Sequence, residues 1–97
     1  MTSFSKGSIM ESTWYLYILR CKDGSLYTGI TTDVDKRFEA HRSGKGAKYT
    51  RARGVEEIVY RECCGSRSDA SRREWQVKQL SREEKQRLIA GPQTDSP

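Results

Sequence analysis

The residues of this chain equipped for chemistry fall in one short run and one distant point. Tyr15-Leu16-Tyr17 and Tyr27-Thr28-Gly29 flank Lys22-Asp23-Gly24-Ser25, a turn signal; Arg37 and His41 follow four residues apart, and a lone acid, Glu74, comes much later. Two phenols, a guanidinium, an imidazole and a carboxylate suit cleavage of a phosphodiester bond with one divalent metal. Such a cut needs a nucleophilic water, charge relief at phosphorus and help for the leaving oxygen. Taken singly, each residue has a plainer role. Tyrosines are good strand formers. An arginine can be a solvated helix residue, and a lone histidine on an apolar helix stripe is usually structural. Glu74 can simply pair with Lys78 at i,i+4. The ordered set is what favours a site.

The elements that must position these groups follow from local pattern. Trp14 to Cys21 and Leu26 to Thr31 are rich in aromatic and branched residues, which predicts two strands of a hairpin. A three-residue loop with Gly24 as a left-handed bulge would pair Leu19 with Tyr27 and Tyr17 with Gly29. Tyr15, Tyr17 and Tyr27 then share one face, while Leu16, Ile18, Leu26, Thr28 and Ile30 share the other. A two-residue Asp23-Gly24 turn would instead put Tyr17 and Tyr27 on opposite faces, so the proposed site requires the bulged loop. Thr32 is the expected N-cap of a helix with Asp33 and Asp35 in its first turn and Gly44 at its end. Val34, Phe38 and His41 recur along that helix at its own period, with Arg37 beside them. The stretch from Gly44 to Gly54 is expected to be a basic loop or a short helix. Glu57 to Cys63 predicts a third strand. A helix capped by Ser66 or Ser68 runs to about Gln79, with Ala70, Glu74, Val77 and Lys78 near one side. Ser81-Arg82-Glu83-Glu84 is a capping box that opens a last helix, which Gly91-Pro92 stops. The order is β-β-α-β-α-α, an α+β chain.

The bulk numbers narrow the partner. Ninety-seven residues make one small domain, expected over 13–90, with Ser/Gly-rich and polar ends at 1–12 and 91–97 that predict disorder. A net charge of +5 and a pI near 9.3 favour a polyanion, although a basic solvated surface is the plainer account. Three cysteines, Cys21, Cys63 and Cys64, give an odd count with one adjacent pair that rarely bridges; with a single histidine, a Cys/His zinc site is disfavoured. A reduced, cytoplasmic protein is the simplest expectation. No apolar run approaches the roughly 20 residues that span a bilayer, and residues 1–12 lack the apolar core of a secretory leader.

These motifs together resemble the GIY-YIG nuclease superfamily, in particular its small single-domain bacterial members. Tyr15-Leu16-Tyr17 stands where GIY is expected, Tyr27-Thr28-Gly29 where YIG is expected, and Arg37 and His41 follow at the family's spacing. Ser43-Gly44-Lys45-Gly46-Ala47-Lys48-Tyr49-Thr50 and Glu74 followed by Val77-Lys78-Gln79-Leu80-Ser81 are also similar to the small group. The resemblance covers roughly residues 14 to 90. It implies a three-stranded antiparallel sheet flanked by helices and metal-dependent cleavage of nucleic acid. By position it implies that Tyr17 helps activate the attacking water and that Tyr27 is the second active-site tyrosine. It further implies that Arg37 neutralises the scissile phosphate, that His41 occupies a position often held by His or Tyr, and that Glu74 is the single acidic ligand of Mg²⁺ or Mn²⁺. The chain departs from the pattern with Tyr-Leu for Gly-Ile, with Thr for Ile, and with no asparagine anywhere. Lys78 or Gln79 are the candidates to position phosphate in its place.

A tyrosine acting as a base needs its ordinary pKa near 10 lowered, here by Arg37, His41 and the metal. DNA is the expected partner, and the basic stretch Lys45, Lys48, Tyr49, Arg51, Arg53, with Lys78, would track its backbone. The small site and basic loop favour single-stranded or branched DNA, and the lack of a groove-reading module predicts little sequence specificity. Trp14 and Trp75 are expected in the core rather than stacked on bases. No membrane or obligate protein partner is expected. The alternative is a non-catalytic nucleic-acid-binding module of the same fold.

Overall fold

The computed structural model describes residues 13–91. Of the two end segments expected to be disordered, 1–12 and 91–97, all but Gly91 lies outside those residues; Gly91 is described and caps the last helix. The elements are β1 (Trp14–Cys21), β2 (Leu26–Thr31), α1 (Val34–Arg42), α2 (Lys48–Arg53), β3 (Val55–Gly65), α3 (Arg67–Lys78) and α4 (Arg82–Ala90). They form one antiparallel sheet in the order β2-β1-β3, with helices on both faces.

β1 is central because four successive residues, Leu16 to Leu19, are apolar enough to be buried on both faces of the sheet. Its alternation sorts two cores. Leu16 and Ile18 join Tyr60 and Val77, with Leu26, Ile30, Leu80, Leu88 and Ile89 packed around them under α3 and α4. Tyr17 and Leu19 join Val34 and Val55 on the other face, with Tyr15, Tyr27 and Phe38 packed against them under α1.

The β1–β2 turn is the bulged form. Cys21 N donates to Ser25 O at 2.8 Å, Gly24 takes φ +88°, and the ladder pairs Leu19 with Tyr27 and Tyr17 with Gly29. Asp23 accepts from both the backbone N–H and the hydroxyl of Ser25, at 3.0 and 2.6 Å. Those bonds first, and Arg53 next, hold its carboxyl down at about 2. Both helical layers are fastened to this turn. Arg53 Nη1 reaches Asp23 Oδ2 at 2.9 Å from α2, and Arg82 Nη2 donates to Gly24 O at 2.9 Å from α4.

The helix starts refine the sequence reading. Asp33, not Thr32, caps α1: its Oδ1 accepts from Lys36 N at 3.0 Å, while Thr31 Oγ1 accepts from Asp33 N at 3.2 Å and holds the cap in place. Ser66 caps α3 through Asp69 N, and Ser81 and Glu84 close the capping box on α4. The stretch after Gly44 contains a two-turn helix, α2, ended by Gly54 at φ +78°. β3 is longer than the predicted strand. Its eleven residues face the eight of β1, and three register shifts along the pair absorb the difference. α3 is anchored to β3 through Glu62, which accepts from Arg73 Nε and from Tyr60 Oη, both at 2.7 Å.

Candidate active site

Residues that the chain holds far apart meet on the Tyr17 face of the sheet. Tyr17 leaves β1 and crosses over β2 at Gly29. A Cβ at Gly29 would lie 2.5 Å from Tyr17 Oη, so only glycine leaves room for the phenol. The hydroxyl ends 3.0 Å from His41 Nε2, which α1 supplies from its last turn. The other ring nitrogen, Nδ1, is 2.7 Å from Thr50 Oγ1, and Thr50 in turn donates to Ala47 O at 2.9 Å. Tyr17 and His41 are buried with 2% of their surface exposed, and Thr50 is fully buried. The imidazole lies so close to the backbone of Gly46 that a Cβ there would overlap it.

Aromatic rings continue this cluster outward. Tyr27 packs edge-on against His41 with centroids 5.2 Å apart, and Tyr49 follows at 5.8 Å from Tyr27. The Arg53 guanidinium lies 4.4 Å above the Tyr49 ring. Asp23, Lys48, Tyr49, Ala52 and Arg53 line an open cleft of about 570 Å³ at the end of this ladder.

Electrostatics separates the inner groups from the outer ones. Burial pushes the Tyr17 phenol up to about 12, and the nearby negative charge of Glu74 adds to the rise, while hydrogen bonding and charge from Arg37 oppose it. The sequence reading expects Arg37, His41 and the metal to lower that pKa; among the protein's own groups, desolvation outweighs Arg37. His41 is shifted below its ordinary value by burial first and by the Arg37 charge second, so it is no cation for Tyr17 to lean on. At neutral pH the pair is therefore a neutral phenol beside a neutral imidazole.

The outer groups are Arg37, Glu74 and Lys78. Arg37 is exposed, acts on the Tyr17 hydroxyl, and forms no ion pair with a carboxylate among the described residues. Glu74 lies on α3, on the opposite face of the sheet, where its charge bears on Tyr17, and Lys78 Nζ sits 3.2 Å from its Oε2. That ion pair is the plain i,i+4 role, and it coexists with the carboxylate's influence on Tyr17. Among the described residues no group of three His, Cys, Asp or Glu side chains can hold a metal. A cation at Glu74 would therefore rest on one carboxylate and complete its shell from water and phosphate, which is how Mg²⁺ commonly binds.

The remaining candidates divide. Lys45, Lys48, Tyr49 and Arg51 are exposed along the connection before α2 and on α2 itself. Arg53 lies there too, but Asp23 holds it. Trp75 is not in the core: it is 66% exposed, on the outward side of α3 next to Glu74. Trp14 is half-buried, with Arg67 over its ring at 5.4 Å. Gly29, Gly46 and Thr50 all fall inside the motifs quoted from the sequence, but none of the three was assigned a part in the site there.

Comparison with known proteins agrees with this fold. Residues 13–87 match the model of the GIY-YIG catalytic domain. A UPF0213 protein of Cronobacter sakazakii is 51% identical over 78 residues, covering 80% of this chain and 82% of the relative. The UPF0213 protein BH0048 of Halalkalibacterium halodurans is 55% identical over 76 residues, covering 78% of this chain and 81% of the relative. A solution NMR structure of BH0048 superposes with a TM-score of 0.52 at 54% identity, covering 80% of this chain and 83% of that one. The solution NMR structure of EF2693 from E. faecalis superposes with a TM-score of 0.56 at 40% identity, with the same coverage.

Proposed function

The chain belongs to the GIY-YIG catalytic domain family, and from that premise we propose that it is a metal-dependent endonuclease that hydrolyses DNA phosphodiester bonds. The observation that carries the reading is the buried 3.0 Å contact of Tyr17 Oη with His41 Nε2, with Arg37 acting on the same hydroxyl. A phenol held near 12 is a poor resident base. It works as a relay instead. A water gives a proton to Tyr17 Oη while Tyr17 passes its own proton to His41 Nε2. The water oxygen forms the new bond to phosphorus. The bond from phosphorus to the leaving oxygen breaks, and its electron pair stays on that oxygen.

His41 ends the step as an imidazolium, and burial keeps it a neutral acceptor beforehand. Arg37 supplies fixed positive charge where the phosphate gains negative charge. Glu74 is the residue to hold Mg²⁺ or Mn²⁺, and the chemistry such an ion supplies when bound is polarisation of the phosphate and stabilisation of the leaving oxygen. Lys78, paired with Glu74 at 3.2 Å, would be the ammonium nearest a phosphate held at that carboxylate.

The exposed residues Lys45, Lys48, Tyr49, Arg51 and Arg53 support DNA as the partner. The Tyr49 ring is covered by Arg53, whereas Trp75 beside Glu74 offers an open ring on which a base can stack. Single-stranded or branched DNA suits that open ring better than a fully stacked duplex. The test is cleavage of labelled single-stranded and duplex DNA with Mg²⁺, Mn²⁺ or EDTA, beside Glu74→Ala. Metal-dependent products that vanish in the variant are expected. Salt-sensitive DNA binding with no product under any metal would replace this reading with the binding-only module.

A further inference from the structure

We propose that Thr50 is a positioning residue that fixes the tautomer of His41, placing the ring proton on Nδ1 and leaving Nε2 bare to receive the Tyr17 proton. The argument is one of counting protons. A threonine hydroxyl has a single hydrogen to donate, and Thr50 directs it to Ala47 O at 2.9 Å. Toward His41 Nδ1, 2.7 Å away, Thr50 Oγ1 then acts as acceptor, so Nδ1 carries the proton. A neutral imidazole has one N–H, which makes Nε2 the acceptor for the Tyr17 hydroxyl at 3.0 Å. The hydroxyl of Tyr17 has a single hydrogen, and it gives that hydrogen to His41 Nε2. The reversed chain, with Thr50 donating to Nδ1 and Nε2–H donating to Tyr17, would block the relay at its last acceptor.

The fold is arranged to keep this chain rigid. Thr50 is fully buried on the two-turn helix α2, and its own backbone carbonyl is occupied by Gly54 N at 2.8 Å. Gly46 lets the imidazole lie against backbone where any side chain would displace it. The consequence for rate rests on the nuclease reading, but the tautomer itself does not.

The chain has one histidine, so its ring nitrogens give an unambiguous NMR signal. Long-range ¹H–¹⁵N spectra of the labelled full chain, recorded where His41 is neutral, are expected to show a protonated Nδ1 and an unprotonated Nε2. Thr50→Val should lose that pattern and cleave single-stranded DNA at least about tenfold more slowly, whereas Thr50→Ser should restore both. A wild-type protein with the proton on Nε2 overturns the proposal, even if Thr50→Val does not fold. So does a folded Thr50→Val that keeps the wild-type pattern, or one that changes it and cleaves at the wild-type rate. A wild-type protein that cleaves nothing counts against the nuclease reading alone, because the spectra still decide the tautomer.

Discussion

Tyr17, His41 and Thr50 lie inside the protein and hold one another by hydrogen bonds of 3.0 and 2.7 Å, whereas Arg37, Glu74 and Lys78 stand at or near the surface with only a 3.2 Å ion pair between the last two. The inner set comes from β1, α1 and α2 on one face of the sheet, and Glu74 and Lys78 come from α3 on the other. The inner half spends its hydrogen-bonding capacity on itself. It gains one protonation state and one geometry, and its residues also contribute to folding. The outer half keeps charge available for a phosphate and a cation, so its residues should matter little to stability. Acid–base work needs a fixed dry arrangement, and charge stabilisation of a large anion needs access.

That contrast is sharpest at Glu74. Glu74→Gln should lower cleavage by about 10³-fold or more, the several kcal/mol of charge stabilisation that a bound cation supplies. Its unfolding free energy in urea should move by less than about 0.5 kcal/mol, since only a partly exposed i,i+4 pair is lost. A loss above that size would make the outer half structural and dissolve the distinction. Tyr17→Phe should move both quantities. Cleavage should fall by about 10²- to 10⁴-fold, and stability by about 1–3 kcal/mol because buried His41 Nε2 is left without a donor. Arg37→Ala should again separate them, slowing cleavage about 10²- to 10³-fold at nearly unchanged stability.

The pH dependence belongs to the inner half. The folded chain holds His41 below its ordinary 6.5, so the unfolded chain binds more protons in the interval between the two values. The stability of the neutral form is present above 6.5 and is lost as pH falls through the folded value. Urea unfolding of the wild type should show that decline, and His41→Gln should flatten it; an identical slope in both would remove His41 as its source. The smallest effect concerns Thr28, whose buried Oγ1 has no hydrogen-bond partner among the described residues. Thr28→Val should raise stability by about 1 kcal/mol and leave cleavage unchanged.

Much of this arrangement is legible in the sequence because it is set by local rules. A three-residue bulged loop and strand alternation suffice to put Tyr17 and Tyr27 on one face. Where two capping residues adjoin, as at Thr32 and Asp33, composition does not choose, and a hydrogen bond from Asp33 N to Thr31 Oγ1 decides. Thr50 falls in a quoted motif, but its role was hidden because it depends on a ring nine residues away, on a different helix. The charges around Tyr17 were readable, but the burial that overrides them was not. Trp75 was misplaced because its flank on α3 faces outward beside Glu74, which no periodicity of α3 alone reveals.

Among the described residues β3 lies at one edge of the sheet, and an edge strand can serve as a template for a strand from another molecule. The aromatic-rich β1 beside it would make such a pairing hard to reverse. The register shifts near Trp14, Ile18 and Arg20 mean that β3 presents no long regular ladder, and Glu56, Glu57, Arg61 and Glu62 place charge along it. The extra residues that let β3 wrap its neighbour therefore also make this edge a poor template for aggregation.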